Sequence, residues 1–337
     1  MLKKFLEKLL RRQDLTAAET VEMLGVLFSG ESSCFQAGAV LAALRMKGES
    51  VEELVGGAEM MRRYCQKIDC DGSNAIDIVG TGGDGGKSFN ISTTAAIVAA
   101  GAGCVVAKHG NRAVSGQSGA ADVLAALGFN LDVPPDMIES SIREHGIGFM
   151  FAQKMHPIMG KVAGMRRELG VRTIFNMLGP LANPAGVTAM LVGVYDAALT
   201  ELYAAALRQL GVRRAMVVYG HDGLDEISCT ESTRVTELRD GALSSYEIHP
   251  EILLGETYDL ADLAGGDPEV NAAITRRVLS GADRGAARAV VVINAAAACT
   301  VAGLTASLAD GIPLAEDAID SGRAMAKLQA LVEASQP

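Results

Sequence analysis

The sequence predicts an α/β protein, with a small all-helical N-terminal domain followed by a large domain built on a mainly parallel sheet flanked by helices. Three observations carry that expectation. The first 65 residues hold three capping-box signatures, Thr16-x-x-Glu19, Ser33-x-x-Gln36 and Ser50-x-x-Glu53, each followed by apolar residues at helical spacing. From residue 75 onward, short apolar runs alternate with helical patterns, as in successive strand–helix–strand units. A chain of 337 residues, 49% of them hydrophobic and 21% charged, is long enough for two domains with full cores.

Taken in order, Gly30 and Gly48 stand where the second and third helices should stop. Strands are expected near 75–79, 104–107, 147–151, 187–194, 214–219 and 289–293. Helical patterns over 92–102, 118–127, 134–144, 198–210 and 294–307 separate them. Residues 233–246, with Asp240-Gly241 at the turn, read as an antiparallel hairpin at the sheet edge.

Composition excludes several classes. A net charge of −10 argues against a general nucleic-acid binder, which needs excess Lys and Arg to replace phosphate counterions. Six cysteines without CxxC spacing, several in apolar runs, read as buried reduced thiols and fit a cytoplasmic location. The N-terminus alternates charged and apolar residues too quickly for a signal peptide, so export is not expected. Two runs without charge, 173–195 and 289–309, reach membrane-spanning length, but Pro180, Pro184, Asn294, Thr300 and Thr305 interrupt them. Both read as core segments, and no membrane partner is expected.

The chemistry concentrates after the first predicted strand. Gly80-Thr81-Gly82-Gly83-Asp84-Gly85-Gly86-Lys87-Ser88 leaves backbone N–H groups open at a helix start, where the helix dipole favours an anion. No Asp or Glu occurs from Gly85 through Ala121, while Lys87, Lys108 and Arg112 lie in that window, which implies a positive local field. Gly80-x-Gly82-x-x-Gly85 matches the dinucleotide fingerprint, yet Lys108-His109 stand where the ribose-binding acid belongs. A Walker loop is missed by one residue, since Thr81 occupies the first glycine position. A phosphate loop of another type remains.

Asn90, Ser92 and Thr93 open the next helix, where capping and ligand binding are compatible. Lys108-His109-Gly110-Asn111-Arg112 sits at a strand's carboxyl end, the usual ligand edge of open α/β sheets. His156-Pro157 and Arg166-Arg167 combine a turn with a basic helix end, and nothing local separates a site from a solvated surface there. Asp225-Glu226 follow another strand, and adjacent carboxylates suit Mg²⁺ shared with substrate phosphates, a solvated acidic turn being the alternative.

Together these motifs resemble the anthranilate phosphoribosyltransferase family, which is related to pyrimidine nucleoside phosphorylases. The likeness also covers Arg166-Arg167-Glu168-Leu169-Gly170 and Asn176-Met177-Leu178-Gly179-Pro180-Leu181-x-Asn183-Pro184, and so spans nearly the whole chain. The resemblance implies a glycosyltransferase of tryptophan biosynthesis that moves the phosphoribosyl group of phosphoribosyl pyrophosphate to the amine of anthranilate. It implies that Gly80, Gly82, Gly83, Asp84, Ser88, Asn90, Ser92, Thr93, Lys108 and Ser118 hold phosphoribosyl pyrophosphate. Ser92, Asp225 and Glu226 would bind Mg²⁺, as two ions with the pyrophosphate. His109, Asn111, His156 and Arg166 would face anthranilate with Pro180 near its ring, and His109, Asn111 and Arg166 would be the catalytic set. It further implies a helical domain of residues 1–70 that gains a piece from about 167–187 and forms a homodimer, the α/β domain taking the rest of 71–337.

Two departures stand out. Ser115-Gly116-Gln117-Ser118-Gly119-Ala120 replaces an expected Ser-Ser-Lys-Ser-Gly-Ser, and the loss of a Lys and two hydroxyls is expected to weaken phosphate binding. Gly164-Met165 replaces Pro-Val before Arg166, which is expected to loosen the helix that aims it. Two rivals are a pyrimidine nucleoside phosphorylase, for which Lys-His-Ser-Thr would be expected at Lys108, and a non-catalytic nucleic-acid-binding relative, for which a basic chain would.

Overall fold

The computed structural model describes residues 2–82, 88–113 and 116–336. The expectations placed on Gly83, Asp84, Lys87 and Ser115 lie outside them. Helices α1 (Lys3–Leu10), α2 (Ala17–Ser29), α3 (Cys34–Lys47) and α4 (Val51–Arg63) form the N-terminal bundle. Thr16 and Ser50 make complete capping boxes, whereas at Ser33 only the serine oxygen accepts from the Gln36 N–H. Gly30 closes α2 in the left-handed region at φ 75°, a conformation that strains any side chain. The second box also builds the core, because buried Glu53 accepts from Ser50 N (2.7 Å), Leu15 N (2.9 Å) and Lys47 Nζ (2.9 Å).

The large domain runs β1 (Ile76–Gly80), α5 (Ile91–Gly101), β2 (Val106–Gly110), α6 (Ala120–Ala126), α7 (Pro135–His145), β3 (Ile147–Phe151), α8 (Ala152–Met155), α9 (Gly160–Leu169) and β4 (Ala189–Gly193). It continues through α10 (Leu199–Gln209), β5 (Arg214–Gly220), β6 (Thr233–Arg239), β7 (Ala242–Ile248), α11 (Pro250–Leu254), α12 (Pro268–Leu279), α13 (Ala286–Ala302), α14 (Leu308–Asp320) and α15 (Arg323–Glu333). One seven-stranded sheet has the order β3-β2-β1-β4-β5-β6-β7. The first five strands are parallel. The expected hairpin forms its antiparallel edge, with Asp240 (φ 51°) and Gly241 (φ 85°) giving the two left-handed residues such a turn requires. Strand order reverses direction at β1, whose neighbours are β2 and β4, so a crevice opens at the carboxyl ends of β1 and β4.

The strand expected at 289–293 is not one, since those residues lie inside α13. A buried apolar run is indistinguishable from a buried strand by periodicity, and the β-branched Val290-Val291-Val292-Ile293 tipped the reading. Length decides it: α13 continues through an alanine run and is buried on nearly every face among α5, α14 and the sheet. Of the cysteines, Cys104, Cys229 and Cys299 are buried as expected, Cys65 and Cys70 are half-buried, and Cys34 is exposed. No helix among the described residues is long and apolar enough to cross a membrane.

Between β3 and β4 the chain leaves the sheet and packs on the N-terminal bundle. Phe175 meets Phe28 of α2 with ring centroids 5.9 Å apart. Leu178 reaches α4 where Gly57 leaves room, as a Cβ there would lie 2.6 Å from its Cδ2. Gly164 has no such excuse: it sits inside α9 with nothing within 4 Å of the place a Cβ would take. Gly164→Ala should therefore stabilise the fold by about 0.5–1 kcal/mol, read as a higher urea midpoint at unchanged slope.

Candidate active site

At the end of β1, Thr81 N donates to Gly193 O (3.0 Å), locking the carboxyl ends of β1 and β4 together. The loop after β5 folds onto this junction. A Cβ on Gly193 would fall 1.6 Å from Asp225 O and one on Gly80 would fall 2.4 Å from Asp225 Oδ2, so both positions need glycine for close approach. Gly82 N–H donates to Asp225 Oδ2 at 2.8 Å. Asp225 and Glu226 are both buried, and Glu226 acts on Lys108 as a nearby opposite charge.

Beneath the crevice lies a buried polar network. Asp77, with no solvent exposure, accepts from His109 N (3.1 Å) and Asn183 Nδ2 (2.7 Å), and Asn183 also donates to Ala107 O (2.9 Å). Lys108 Nζ donates to Ile78 O at 2.5 Å. Burial pushes the Asp77 carboxyl up to about 6, against the pull of Lys108. Burial likewise lowers Lys108, with Asp77 and Glu226 opposing the shift. Asn111, one turn of chain further, is exposed and its Oδ1 accepts from Arg112 N (2.8 Å). Arg112 pairs with Asp122 at 2.7 Å, so it adds little to the positive field the acid-free window implied.

His109 and His156 meet edge to face, with centroids 5.0 Å apart. Both rings are buried; His109 Nε2 and both nitrogens of His156 have no well-formed hydrogen bond. Burial, then His156, holds His109 down at about 3, and burial holds His156 at about 4 although the backbone of Ala182 and Met61 favours its charged form. Both are neutral imidazoles near neutral pH. Pro180 is buried in the segment that carries Gly179 past His109.

Asn90 occupies the N-cap position of α5 but its side chain makes no capping bond. It bonds sideways instead: Nδ2 to Ser118 O (3.1 Å), and Oδ1 from Ser118 Oγ (3.1 Å) and Asn271 Nδ2 (2.9 Å). Ser88 bridges to Ala264, and Ser92 and Thr93 fill the first turn of α5, with Thr93 Oγ1 buried and unpartnered. Arg166 lies on α9 with its guanidinium 5.6 Å from the Phe175 ring; burial lowers its pKa, and no carboxylate of the described residues pairs with it. Arg172, just beyond α9, donates from Nη2 to Gly82 O at 2.9 Å and stacks 4.5 Å over Tyr195.

The structure thus gathers Gly80, Gly82, Lys108, Asp225 and Glu226 at one junction, His109 with His156 beside Pro180, and Asn90 with Ser118. Sequence reasoning missed Asp77, Asn271 and Arg172. A charge inside an apolar strand was the available signal for Asp77; the others gave none. No cluster of three or more His, Cys, Asp or Glu that could hold a metal occurs among the described residues. Two adjacent buried carboxylates, Asp225 and Glu226, suit a hard cation that completes its shell with water and substrate phosphates.

Two consecutive segments of the chain match two family models: "Glycosyl transferase family, helical bundle domain" over residues 3–65 and "Glycosyl transferase family, a/b domain" over 72–325. Among curated relatives, the anthranilate phosphoribosyltransferase of Desulfosudis oleivorans is 51% identical over 333 residues, covering 99% of this chain and 98% of its own. Among solved structures, the anthranilate phosphoribosyltransferase of Thermus thermophilus superposes with a TM-score of 0.93 at 40% identity, covering 99% of both chains. That of Saccharomyces cerevisiae, in complex with PRPP and Mg, does so with a TM-score of 0.90 at 30% identity, covering 99% of this chain and 97% of its own. The chain belongs to the glycosyl transferase family and, within it, to the anthranilate phosphoribosyltransferases.

The buried histidines make stability pH-dependent. Their pKa values are depressed from 6.5 to about 3 and about 4, so their contribution is complete above pH 6.5 and is lost as the pH falls toward those values. Asp77 acts oppositely, its contribution being complete below 3.8 and lost as the pH rises through about 6. Two groups outweigh one. Replacing His156 by Gln should make the urea-derived stability curve between these limits flatter than the parent's by about 1.4 kcal/mol per pH unit; parallel curves would remove the assignment.

Proposed function

We propose that the chain transfers the 5-phosphoribosyl group of phosphoribosyl pyrophosphate to the amine of anthranilate, releasing pyrophosphate, as the phosphoribosyl transfer of tryptophan biosynthesis. The observation that carries this reading is the junction of the glycine turn at Gly80–Gly82 with Lys108, Asp225 and Glu226 at the switch point of the sheet. Relatives of the same family share this architecture; the yeast protein has been solved with PRPP and Mg and with 4-fluoroanthranilate.

In this reading Gly80, Gly82, Ser88, Asn90, Ser92, Thr93, Lys108 and Ser118 hold the phosphoribosyl pyrophosphate, together with Gly83 and Asp84. Ser92, Asp225 and Glu226 hold Mg²⁺, as two ions. Bound there, Mg²⁺ supplies neutralisation of the pyrophosphate leaving group. Lys108, held in place by Ile78 O and balanced by Asp77, adds a fixed positive charge at the same edge. Arg166, planar and paired with no carboxylate of the described residues, binds the anthranilate carboxylate by paired hydrogen bonds, and Asn111 and Pro180 border the ring.

The aniline nitrogen is unprotonated at neutral pH, so attack at ribose C1 needs no strong base. As the bond from C1 to pyrophosphate breaks and the C–N bond forms, the nitrogen sheds a proton. In this reading neutral His109, whose Nε2 makes no hydrogen bond, is at most a late acceptor of that proton, since burial disfavours its charged form. The helical unit comprises residues 1–70 and about 167–187, and it carries the homodimer contact, since Leu10, Phe35 and Met46 expose apolar surface on α1 and α3. The cytoplasm is the compartment that the cysteine usage favours.

With Mg²⁺ and phosphoribosyl pyrophosphate, the purified protein should consume anthranilate, read as loss of its fluorescence, and release pyrophosphate in equal amount. Phosphorolysis of thymidine or uridine without anthranilate turnover would overturn the reading. Arg166→Ala should lower kcat/KM for anthranilate by about 1.5–3 kcal/mol while leaving phosphoribosyl pyrophosphate binding nearly intact. Equal weakening toward both substrates would show that Arg166 does not address the carboxylate.

A further inference from the structure

The loop between β5 and β6 presents Asp225 and Glu226, and its own start is closed by Asp222. That carboxylate accepts from Leu224 N (3.1 Å), from Thr230 Oγ1 (2.5 Å) and from Ser228 Oγ. The middle of the loop is held from outside. Asn294 of α13, with no solvent exposure, accepts from Ile227 N at 3.0 Å and donates from Nδ2 to Ile227 O at 2.8 Å. Its other amide hydrogen goes to Val290 O of the same helix, also at 2.8 Å.

This pairing is unusual for its surroundings. From Ala289 to Ala298 the helix presents only Ala, Val and Ile apart from Asn294, and an amide buried there is costly unless fully paired. A side-chain amide carries a donor and an acceptor on one plane, so it can grip the N–H and C=O of a single residue much as a neighbouring strand would. The residue gripped is the one that follows Glu226. On the other side, Asp225 is seated against Gly80, Gly82 and Gly193. The carboxylate pair is thereby pinned between a helix of the core and the ends of β1 and β4.

We propose that Asn294 is a positioning residue for the cation site: by clamping Ile227 it sets the direction in which the Asp225 and Glu226 carboxylates leave the backbone. This rests on the reading that these two carboxylates hold Mg²⁺. Outer partners of a metal site act in this way, fixing ligands they do not replace.

The test uses the whole chain with phosphoribosyl pyrophosphate present, titrated with Mn²⁺ and followed by the electron paramagnetic resonance signal of protein-bound Mn²⁺, alongside thermal denaturation. Asn294→Leu keeps the volume and removes all three hydrogen bonds; Asn294→Asp keeps the shape and removes the two donors. Val291→Ala, a buried truncation in the same helix, controls for lost stability. Both Asn294 variants should weaken Mn²⁺ by about 10- to 100-fold and raise KM for phosphoribosyl pyrophosphate but not for anthranilate, while the control keeps the parent affinity. Asn294 variants that lose stability but bind Mn²⁺ like the control would overturn the proposal; if the Leu variant does not fold, the Asp variant decides. Asp225→Asn and Glu226→Gln are titrated in parallel, and parent-like Mn²⁺ binding by both would instead bring down the cation reading beneath it.

Discussion

A carboxylate and an ammonium, both removed from water, hold the centre of the sheet's working edge. Asp77 on β1 has no exposure and Lys108 on β2 has almost none. Two buried charges persist only when each has partners: Asp77 has the His109 amide and Asn183, and Lys108 has the Ile78 carbonyl. Removing one member of such a set leaves the other less compensated in the interior, which destabilises the fold. The network therefore fixes more than two side chains. Through Asn183 it ties β1 and the start of β2 to the segment returning to β4, and so holds together the strands whose carboxyl ends border the crevice.

This arrangement revises the electrostatics implied by the chain's linear order. An acid-free window from Gly85 through Ala121 implied a positive local field. In space the acids arrive from elsewhere: Asp77 and Glu226 face Lys108, and Asp122 takes Arg112. Among the described residues, the junction holds the Lys108 ammonium, the Arg172 guanidinium on Gly82 O and the carboxylates of Asp77, Asp225 and Glu226. Such a set repels a polyphosphate until a divalent cation joins it, which gives a physical reason for pairing the glycine turn with carboxylates.

Legibility followed distance along the chain. Caps, the hairpin with its Asp240-Gly241 turn, and the five parallel strands are set by neighbours within a few residues, and each was readable. The strand reading at 289–293 failed because a helix buried on all sides carries no amphipathic period. Asn271 and Asn294 were unreadable for another reason. Their partners, Asn90 and Ile227, lie 181 and 67 residues away, and within its own helix each Asn looks like any tolerated polar residue. That His109 and His156 belong to one site came through family resemblance, while their ring contact is visible only in the fold, since neither residue's local sequence points to the other.

The same geometry links the two sides of the crevice mechanically. Arg166 sits in the last turn of α9, the helix ends at Gly170 in the left-handed region, and Arg172 follows at once to bond Gly82 O and stack on Tyr195. Phe175 then supports the Arg166 guanidinium while packing on Phe28 of the bundle. A shift of this segment pulls on the glycine turn through Arg172 and on Arg166 through Phe175 together. The residue assigned to the aromatic acid and the turn assigned to the phosphates are consequently placed by one stretch of chain, braced at one end by the bundle and at the other by the edge of the sheet.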